Sequence, residues 1–321
     1  MVAVASSDTG DVTAGAAVGV VVPVRDDPRL ATCLRALAAQ TLRPAAVVVV
    51  DDGSSAPVQV PADLATDGVT DGLAVTVVRQ SPRGSYAARN AGIVALLAQP
   101  DPPTYVAFTD ADCVPEPDWL EQAVAALESG ATAGVVTGPI EVFPRGRRPG
   151  AVELYDALTA FPQEEFVQRW GFGATANLVV ARSVLEVVGP FRGHLQSGGD
   201  AEWGERATAA GHRVVFCDDV VVRHPARATV GELVAKARRT TRGAEQLGRD
   251  RGDLPPWHRL AAERLTRPWR GLPALRDERL ARVDRLRFLG VSALAHAVMA
   301  AEISAVRARW ALEAAVRETR R

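Results

Sequence analysis

The chain has 321 residues, 47% of them hydrophobic, and sets 37 Lys and Arg against 38 Asp and Glu for a formal net charge of -1. That apolar fraction excludes a disordered chain and can bury the core of two domains, or of one large domain with an appendage. The near-zero total hides a split, with 15 basic and 27 acidic side chains in residues 1–222 and 22 basic and 11 acidic in residues 223–321. Such an acidic front speaks against a dedicated nucleic-acid binder, whose folded core would itself be basic.

Residues 1–17 lack the basic and apolar regions of a signal peptide and read as a flexible tail. Val18–Val24 is an apolar, β-branched run, followed by a helical pattern through Leu30, Leu34 and Leu37. Ala46–Val50 is a second buried-strand run that ends in Asp51-Asp52-Gly53-Ser54, and Leu73–Val78 is a third. A helix over about Tyr86–Gln99 leads to a fourth strand, Tyr105–Thr109, which runs into Asp110-Ala111-Asp112. Continuous apolar strands alternating with helices predict a mostly parallel sheet covered on both faces.

The pattern then predicts a helix over Trp119–Leu127, a strand over Gly134–Val142 and a helix near Val152–Leu158. A strand over Ala176–Ala181, a short helix after Ser183 and a helix over Ala201–Ala210 follow. Strand-like pieces at Arg213–Cys217 and Val220–Arg223 come next, and everything from Thr229 onward reads as helix, broken at Gly252–Pro256 and Arg267–Pro273. The best candidate for a membrane span, Leu289–Val306, is interrupted by His296 and Glu302. Cys33, Cys113 and Cys217 form neither a disulfide framework nor a zinc cluster, so a reducing, cytoplasmic compartment is expected.

Two acidic clusters, Asp51-Asp52 and Asp110-Ala111-Asp112, fall just past the carboxyl ends of buried strands, where open α/β sheets form their ligand crevice. An Asp-x-Asp spacing puts two carboxylates on one side of an extended chain, which suits one Mg²⁺ or Mn²⁺ completed by diphosphate oxygens. Aspartate is also an ordinary turn former, a reading that weakens when the pattern occurs twice.

Seven ordered blocks carry a more specific signal. They are Val20-Val21-Val22-Pro23-Val24, Cys33 to Thr41, Val48 to Ser54, Ala88-Arg89-Asn90-Ala91-Gly92, Phe108 to Asp112, and Asn177-Leu178-Val179-Val180 with Val188-Gly189-Pro190-Phe191, ending at Gly198-Gly199-Asp200-Ala201-Glu202-Trp203. Together they resemble the signature of family 2 glycosyltransferases across residues 18–224. The resemblance implies a GT-A fold, a Rossmann-like α/β sheet flanked by helices, and transfer of a sugar with inversion from a nucleotide-diphosphate donor. It implies a donor-binding set of Pro23, Asp52, Arg89, Asp110 and Asp112. A divalent metal, Mn²⁺ or Mg²⁺, would be held by Asp112 with Asp110 nearby, and His224 would serve as an extra ligand. Asp200 matches the catalytic base, which deprotonates the acceptor hydroxyl; as a bare residue it also suits a helix N-cap. Gly199 stands where the family usually has an acid, and Glu202 and Trp203 fall on the acceptor side, although core packing also suits an indole there.

The expected organisation is a tail at 1–17, a catalytic unit at 18–228 divided near 114 into donor and acceptor halves, and a basic helical extension at 229–321. A retaining transferase on the same fold and a non-catalytic nucleotide-sugar-binding subunit are the alternatives. The acceptor is open among a glycan, a lipid-linked sugar and a small molecule. Lys236, Arg238, Arg239 and Arg242 spread around more than one helix face, as on a solvated or acid-paired surface; contact with the donor diphosphate, an anionic acceptor or lipid head groups is the alternative. The last helix, about Leu286–Val316, carries Leu286, Leu289, Ala293, Ala297, Ala300 and Ile303 as an apolar stripe. That stripe suits packing on the catalytic unit, a homodimer, or peripheral contact with the inner face of the plasma membrane. No Gln-x-x-Arg-Trp motif follows Asp200, so addition of a single sugar is expected rather than polymer synthesis.

Overall fold

The computed structural model describes residues 17–64, 73–129, 134–266 and 281–318. The predicted tail, apart from Ala17, and the predicted break at 267–273 lie outside them. The first half comprises β1 (Val18–Val24), α1 (Leu30–Ala38), β2 (Ala46–Asp51), β3 (Val75–Arg79), α2 (Ser85–Leu97) and β4 (Tyr105–Thr109). Then come β5 (Val114–Pro115), α3 (Trp119–Ser129), β6 (Val135–Thr137), β7 (Ile140–Phe143), α4 (Ala151–Thr159) and α5 (Gln163–Trp170). Next are β8 (Asn177–Ala181), α6 (Arg182–Val188), α7 (Gly199–Ala209), β9 (Val214–Phe216) and β10 (Val222–Pro225). The described residues end with the helices α8 (Val230–Arg251), α9 (Trp257–Thr266) and α10 (Arg282–Glu318).

Every residue of β1 and β2 is buried because helices cover both faces of the sheet. Side chains alternate between the faces with the strand's period of two. Val20, Val22, Val47 and Val49 pack with Leu34, Leu37 and Trp119. Val21, Val48 and Val50 pack on the opposite side with Tyr86, Leu96 and Trp203. The seven-stranded sheet has the order β3-β2-β1-β4-β8-β6-β9, parallel from β3 to β4, with β8 antiparallel to both its neighbours. The chain leaves β1 for β2 on one side and places β4 on the other, which opens a crevice at the carboxyl ends of β1 and β4.

Several elements differ from expectation. The strand predicted over Gly134–Val142 is two strands in two sheets, because β7 joins β5 and β10 in a separate three-stranded sheet. The break falls at Gly138, where a Cβ would lie 2.2 Å from the Val220 carbonyl oxygen. Buried Asn177 ties this junction together: its side-chain amide donates to the Pro139 and Val220 carbonyls, and its oxygen accepts from the Trp119 indole. Helix α5 escaped the pattern because Glu164, Glu165, Gln168 and Arg169 leave it little apolar periodicity. Strand β10 runs two residues later than predicted, so His224 lies inside the strand rather than after it.

Helix α10 packs Phe288 and Ala295 against Val152, Tyr155 and Leu233. Its buried side is therefore Phe288, Ser292, Ala295, Ala300, Glu302, Ile303 and Val306, and only Ala300 and Ile303 of the predicted stripe lie on it. Leu286, Ala293 and Ala297 face outward. Glu302 does not interrupt a membrane span but is buried as the partner of Arg238 and Arg242. By length and composition alone α10 could cross a membrane, and 39% of its most apolar stretch is buried in the protein.

Candidate active site

Three strand ends deliver acids to one edge of the sheet: Asp26 and Asp27 after β1, Asp51 and Asp52 at the end of β2, and Asp110 and Asp112 after β4. Asp51 is fully buried and accepts the backbone N–H of Ser54 at 2.7 Å, closing the turn. Gly53 serves this turn with φ 75°, and a Cβ there would meet the Pro82 ring at 2.5 Å. Asp52 also turns inward. It accepts the backbone N–H groups of Arg83 and Gly84, both at 2.8 Å, and the Gln80 amide at 2.7 Å. Both its oxygens hold the loop between β3 and α2, so in this structure Asp52 shapes the border of the crevice. Asp26 has φ 50° and its carboxylate binds Ser55, a backbone conformation unusual outside glycine and set at the mouth of the crevice.

Asp112 lies 19% exposed, with its Oδ2 3.5 Å from His224 Nε2 and 3.3 Å from the Arg29 guanidinium. Burial pushes its carboxyl up; His224 and Arg29 pull it down while Asp110 and Asp27 push it further up. The His224 Nδ1 sits 2.8 Å from the Pro225 carbonyl. An N–H there donates to that oxygen and leaves the Nε2 lone pair facing a carboxylate, the orientation of a metal-binding imidazole. Donors around a small octahedral cation at about 2.1 Å stand about 3 Å apart, so the Asp112–His224 pair fits Mg²⁺ or Mn²⁺. Cys113 is the third potential ligand within 4.8 Å, but full burial pushes its thiol well up and keeps it protonated. The fitting set is thus oxygen and nitrogen, with Asp110 beside it. Arg29, anchored on Asp27 at 2.6 Å, carries positive charge into the same acidic corner.

A chain of contacts leads from this corner to Asp200. Asp110 binds the buried guanidinium of Arg89, whose carbon lies 5.5 Å from the centre of the Tyr86 ring, and the Tyr86 hydroxyl donates to Asp200 Oδ1 at 3.1 Å. Arg89 Nε is buried without a hydrogen-bond partner among the described residues. Burial raises the Asp200 carboxyl, opposed by the Ala201 N–H, Arg89 and Tyr86. Burial also raises the Tyr86 phenol, which therefore remains a donor. Asp200 is not the cap of α7: Gly198, at φ 81°, takes that place and Asp200 stands in the first turn. Gly199 makes the approach feasible, since a Cβ there would lie 2.8 Å from the Tyr86 ring.

Two residues assigned to the acceptor side are placed elsewhere. Trp203 is buried among Phe191 and its neighbours with its indole N–H on the Gly189 carbonyl. Glu202 is buried between Arg192 and Arg206. On a helix, Glu202, two positions past Asp200, turns to the far side, whereas Trp203, three positions past it, shares its face and packs inward on Phe191, which also meets Tyr86. Pro23 lies within buried β1, one residue before its end. Sequence reasoning passed over Tyr86, Asp27, Arg29 and Phe161. Tyr86 precedes Arg89 by three residues, the helical spacing that puts both on one face. Phe161, at φ 53°, packs against the His224 ring with the centroids 5.0 Å apart and the planes tilted by 52°.

Comparison with known proteins agrees with this geometry. A model of glycosyl transferase family 2 matches residues 19–191. The glycosyltransferase AglE of Haloferax volcanii is 37% identical over 236 residues, which cover 72% of this chain and 73% of that protein. The pre-mycofactocin glycosyltransferase of Mycobacterium tuberculosis is 30% identical over 229 residues, covering 68% of this chain and 45% of that one. Among solved structures, the mannosyltransferase PcManGT from Pyrobaculum calidifontis, in complex with GDP-Man and Mn²⁺, superposes with a TM-score of 0.53 at 22% identity over 91% of this chain and 86% of that one. That likeness is one of fold, and the fold is GT-A.

Proposed function

The chain belongs to glycosyl transferase family 2 and is a glycosyl-transferring enzyme, and from that premise we propose that it moves one sugar from a nucleotide-diphosphate donor to an acceptor hydroxyl with inversion. The observation that carries this reading is the line Asp110–Arg89–Tyr86–Asp200, which ties a potential base to the acidic edge of the sheet beside Asp112 and His224. Donor binding falls to residues 18–114, with Pro23 and the loop held by Asp52 bordering the nucleotide, and acceptor binding to 115–228.

Asp200 takes the proton of the acceptor hydroxyl while its oxygen bonds to the anomeric carbon. The bond to the diphosphate breaks and the electron pair leaves with it. The raised carboxyl makes Asp200 a stronger base than an exposed aspartate, and the Tyr86 hydroxyl orients it. Arg89, whose Nε has no partner among the described residues, supplies positive charge on the donor side. Asp112 and His224, with Asp110 adjacent, would hold Mn²⁺ or Mg²⁺, which supplies Lewis-acid stabilisation to a leaving diphosphate. The absence of a Gln-x-x-Arg-Trp motif supports single addition. The reaction takes place in the cytoplasm, and the outward Leu286, Leu294 and Leu312 of α10 suit peripheral contact with the membrane's inner face.

The test is a thermal-shift screen of UDP-, dTDP- and GDP-sugars with Mn²⁺, then NMR assignment of the product anomer. An inverted product is expected, and Asp200→Asn should bind donor as before while transferring nothing. A retained anomer, or turnover by Asp200→Asn, would sink the mechanism.

A further inference from the structure

The basic C-terminal helices border a cavity outside the nucleotide crevice. Helices α8 and α10, with Gln196 from the loop before α7, enclose about 290 Å³ lined by Arg242, Gln246, Arg249, Arg309 and Trp310. Three guanidinium groups meet there with one carboxylate, Asp250, which is 2.9 Å from His194 Nε2. Arg242 is committed to Glu302. The Arg249 guanidinium carbon lies over the Trp310 ring, 4.6 Å from its centre, a cation–π contact that takes up no acid partner. Arg309 has no acid partner among the described residues. The lining thus offers fork-shaped cationic donors and two amides with too little acid to satisfy them, the chemistry that binds phosphate.

The position of the cavity relates it to the base. A Cβ on Gly243 would lie 2.4 Å from the Ser197 carbonyl oxygen, so α8 is pressed onto the loop that reaches Asp200 three residues later. The Gln246 amide is 3.4 Å from the His194 carbonyl of the same loop. We infer that this cavity binds a phosphate or diphosphate group carried by the acceptor, either a lipid phosphate headgroup or a soluble phosphate ester. Assigning that group to the acceptor rests on the transferase reading; the anion site itself does not.

The experiment titrates inorganic pyrophosphate into the full chain in EDTA by calorimetry, for the wild type and for a double variant, Arg249→Ala with Arg309→Ala. Binding should weaken about ten-fold or more in the double variant, as expected for losing two charge-assisted contacts. Binding of a nucleoside diphosphate with Mn²⁺ should stay within about two-fold, which also shows that the variant is folded. A control that removes the same charge elsewhere on α10, Arg287→Ala with Arg317→Ala, should bind pyrophosphate as the wild type does. Co-sedimentation with phosphatidylcholine vesicles containing phosphatidic acid separates the sources: binding lost only in the cavity variant assigns a lipid headgroup, whereas binding of pyrophosphate but not vesicles assigns a soluble ester. No binding of either probe by the wild type, an unaltered double variant, or an equal loss in the control overturns the site. Failure of the nucleoside diphosphate to bind would instead strike the transferase reading alone.

Discussion

Replacing Tyr86 by Phe removes one oxygen, the one that donates to Asp200 Oδ1 at 3.1 Å. The ring remains packed against Phe191, so the fold should be nearly untouched. A hydrogen bond to an ionised group is worth about 1.5–3 kcal/mol, and the length of this one places it at about 1.5. The sign follows from the donor's preference: the hydroxyl stabilises the carboxylate over the acid, so its loss favours protonation. Asp200 already titrates above its ordinary value through burial, and it should move further up. On the acidic side of the profile, kcat/KM should therefore fall about ten-fold, the equivalent of that 1.5 kcal/mol. On the alkaline plateau it should recover to near wild type. The assay is the pH dependence of kcat/KM with saturating metal. An acid limb that stays in place, or that moves to lower pH, would refute the coupling of Tyr86 to the base.

Gly199→Ala should reproduce the same shift by another route, since the added Cβ meets the Tyr86 ring at 2.8 Å. Alanine is ordinarily the better helix former by about 1 kcal/mol, so a variant as active as the wild type would show that the contact relaxes freely. Asp112→Ala should abolish Mn²⁺-dependent donor binding measured by calorimetry, and EDTA should do the same to the wild type; undiminished binding in either case counts against the metal site. Asp156→Asn should cost about 3 kcal/mol in urea unfolding, because Asp156 is buried between Arg227 and Lys236 and its loss strands both cations. Burial pushes the Asp156 carboxyl up, but Lys236 and Arg227 outweigh it and hold it below the usual range. Its contribution should be complete above about pH 4, the unfolded value, and disappear as pH falls through the lower folded value. Equal stability of variant and wild type at pH 7 would refute that.

Strands β1, β2 and β4 were legible because each is a continuous apolar run leading into acids, a pattern that burial on both faces imposes. Past residue 130 the strands shorten to three to five residues, too few for periodicity to identify. There the path depends on contacts distant in sequence, such as Asn177 bridging Pro139, Val220 and Trp119. The site divides in the same way. Asp110 and Asp112 stand just past the end of β4 and Asp200 in the first turn of α7, where position alone marks them as candidates. Tyr86 was hidden because its partner lies 114 residues away. Sequence shows the place of Asp52 on the same edge, and only the structure shows the three donors from Gln80, Arg83 and Gly84 that its carboxylate accepts.

The uneven charge of the chain follows from the same placement. Much of the basic back half is paired with acids: Arg238 and Arg242 with Glu302, Arg307 with Glu245, Arg227 and Lys236 with Asp156, and Arg251 with Glu205. Asp156 and Glu205 belong to the front half, so part of the split is an attraction that holds α8 against it. Neutralisation does not account for Arg249 and Arg309, which converge on one cavity with a single carboxylate already bound to His194. Clustering unneutralised guanidinium groups costs stability through their repulsion, and an anionic ligand removes that cost while dispersed surface arginines would never incur it. The excess positive charge at the end of the chain is thus divided between holding the extension in place and leaving one local surplus beside the loop that carries Asp200.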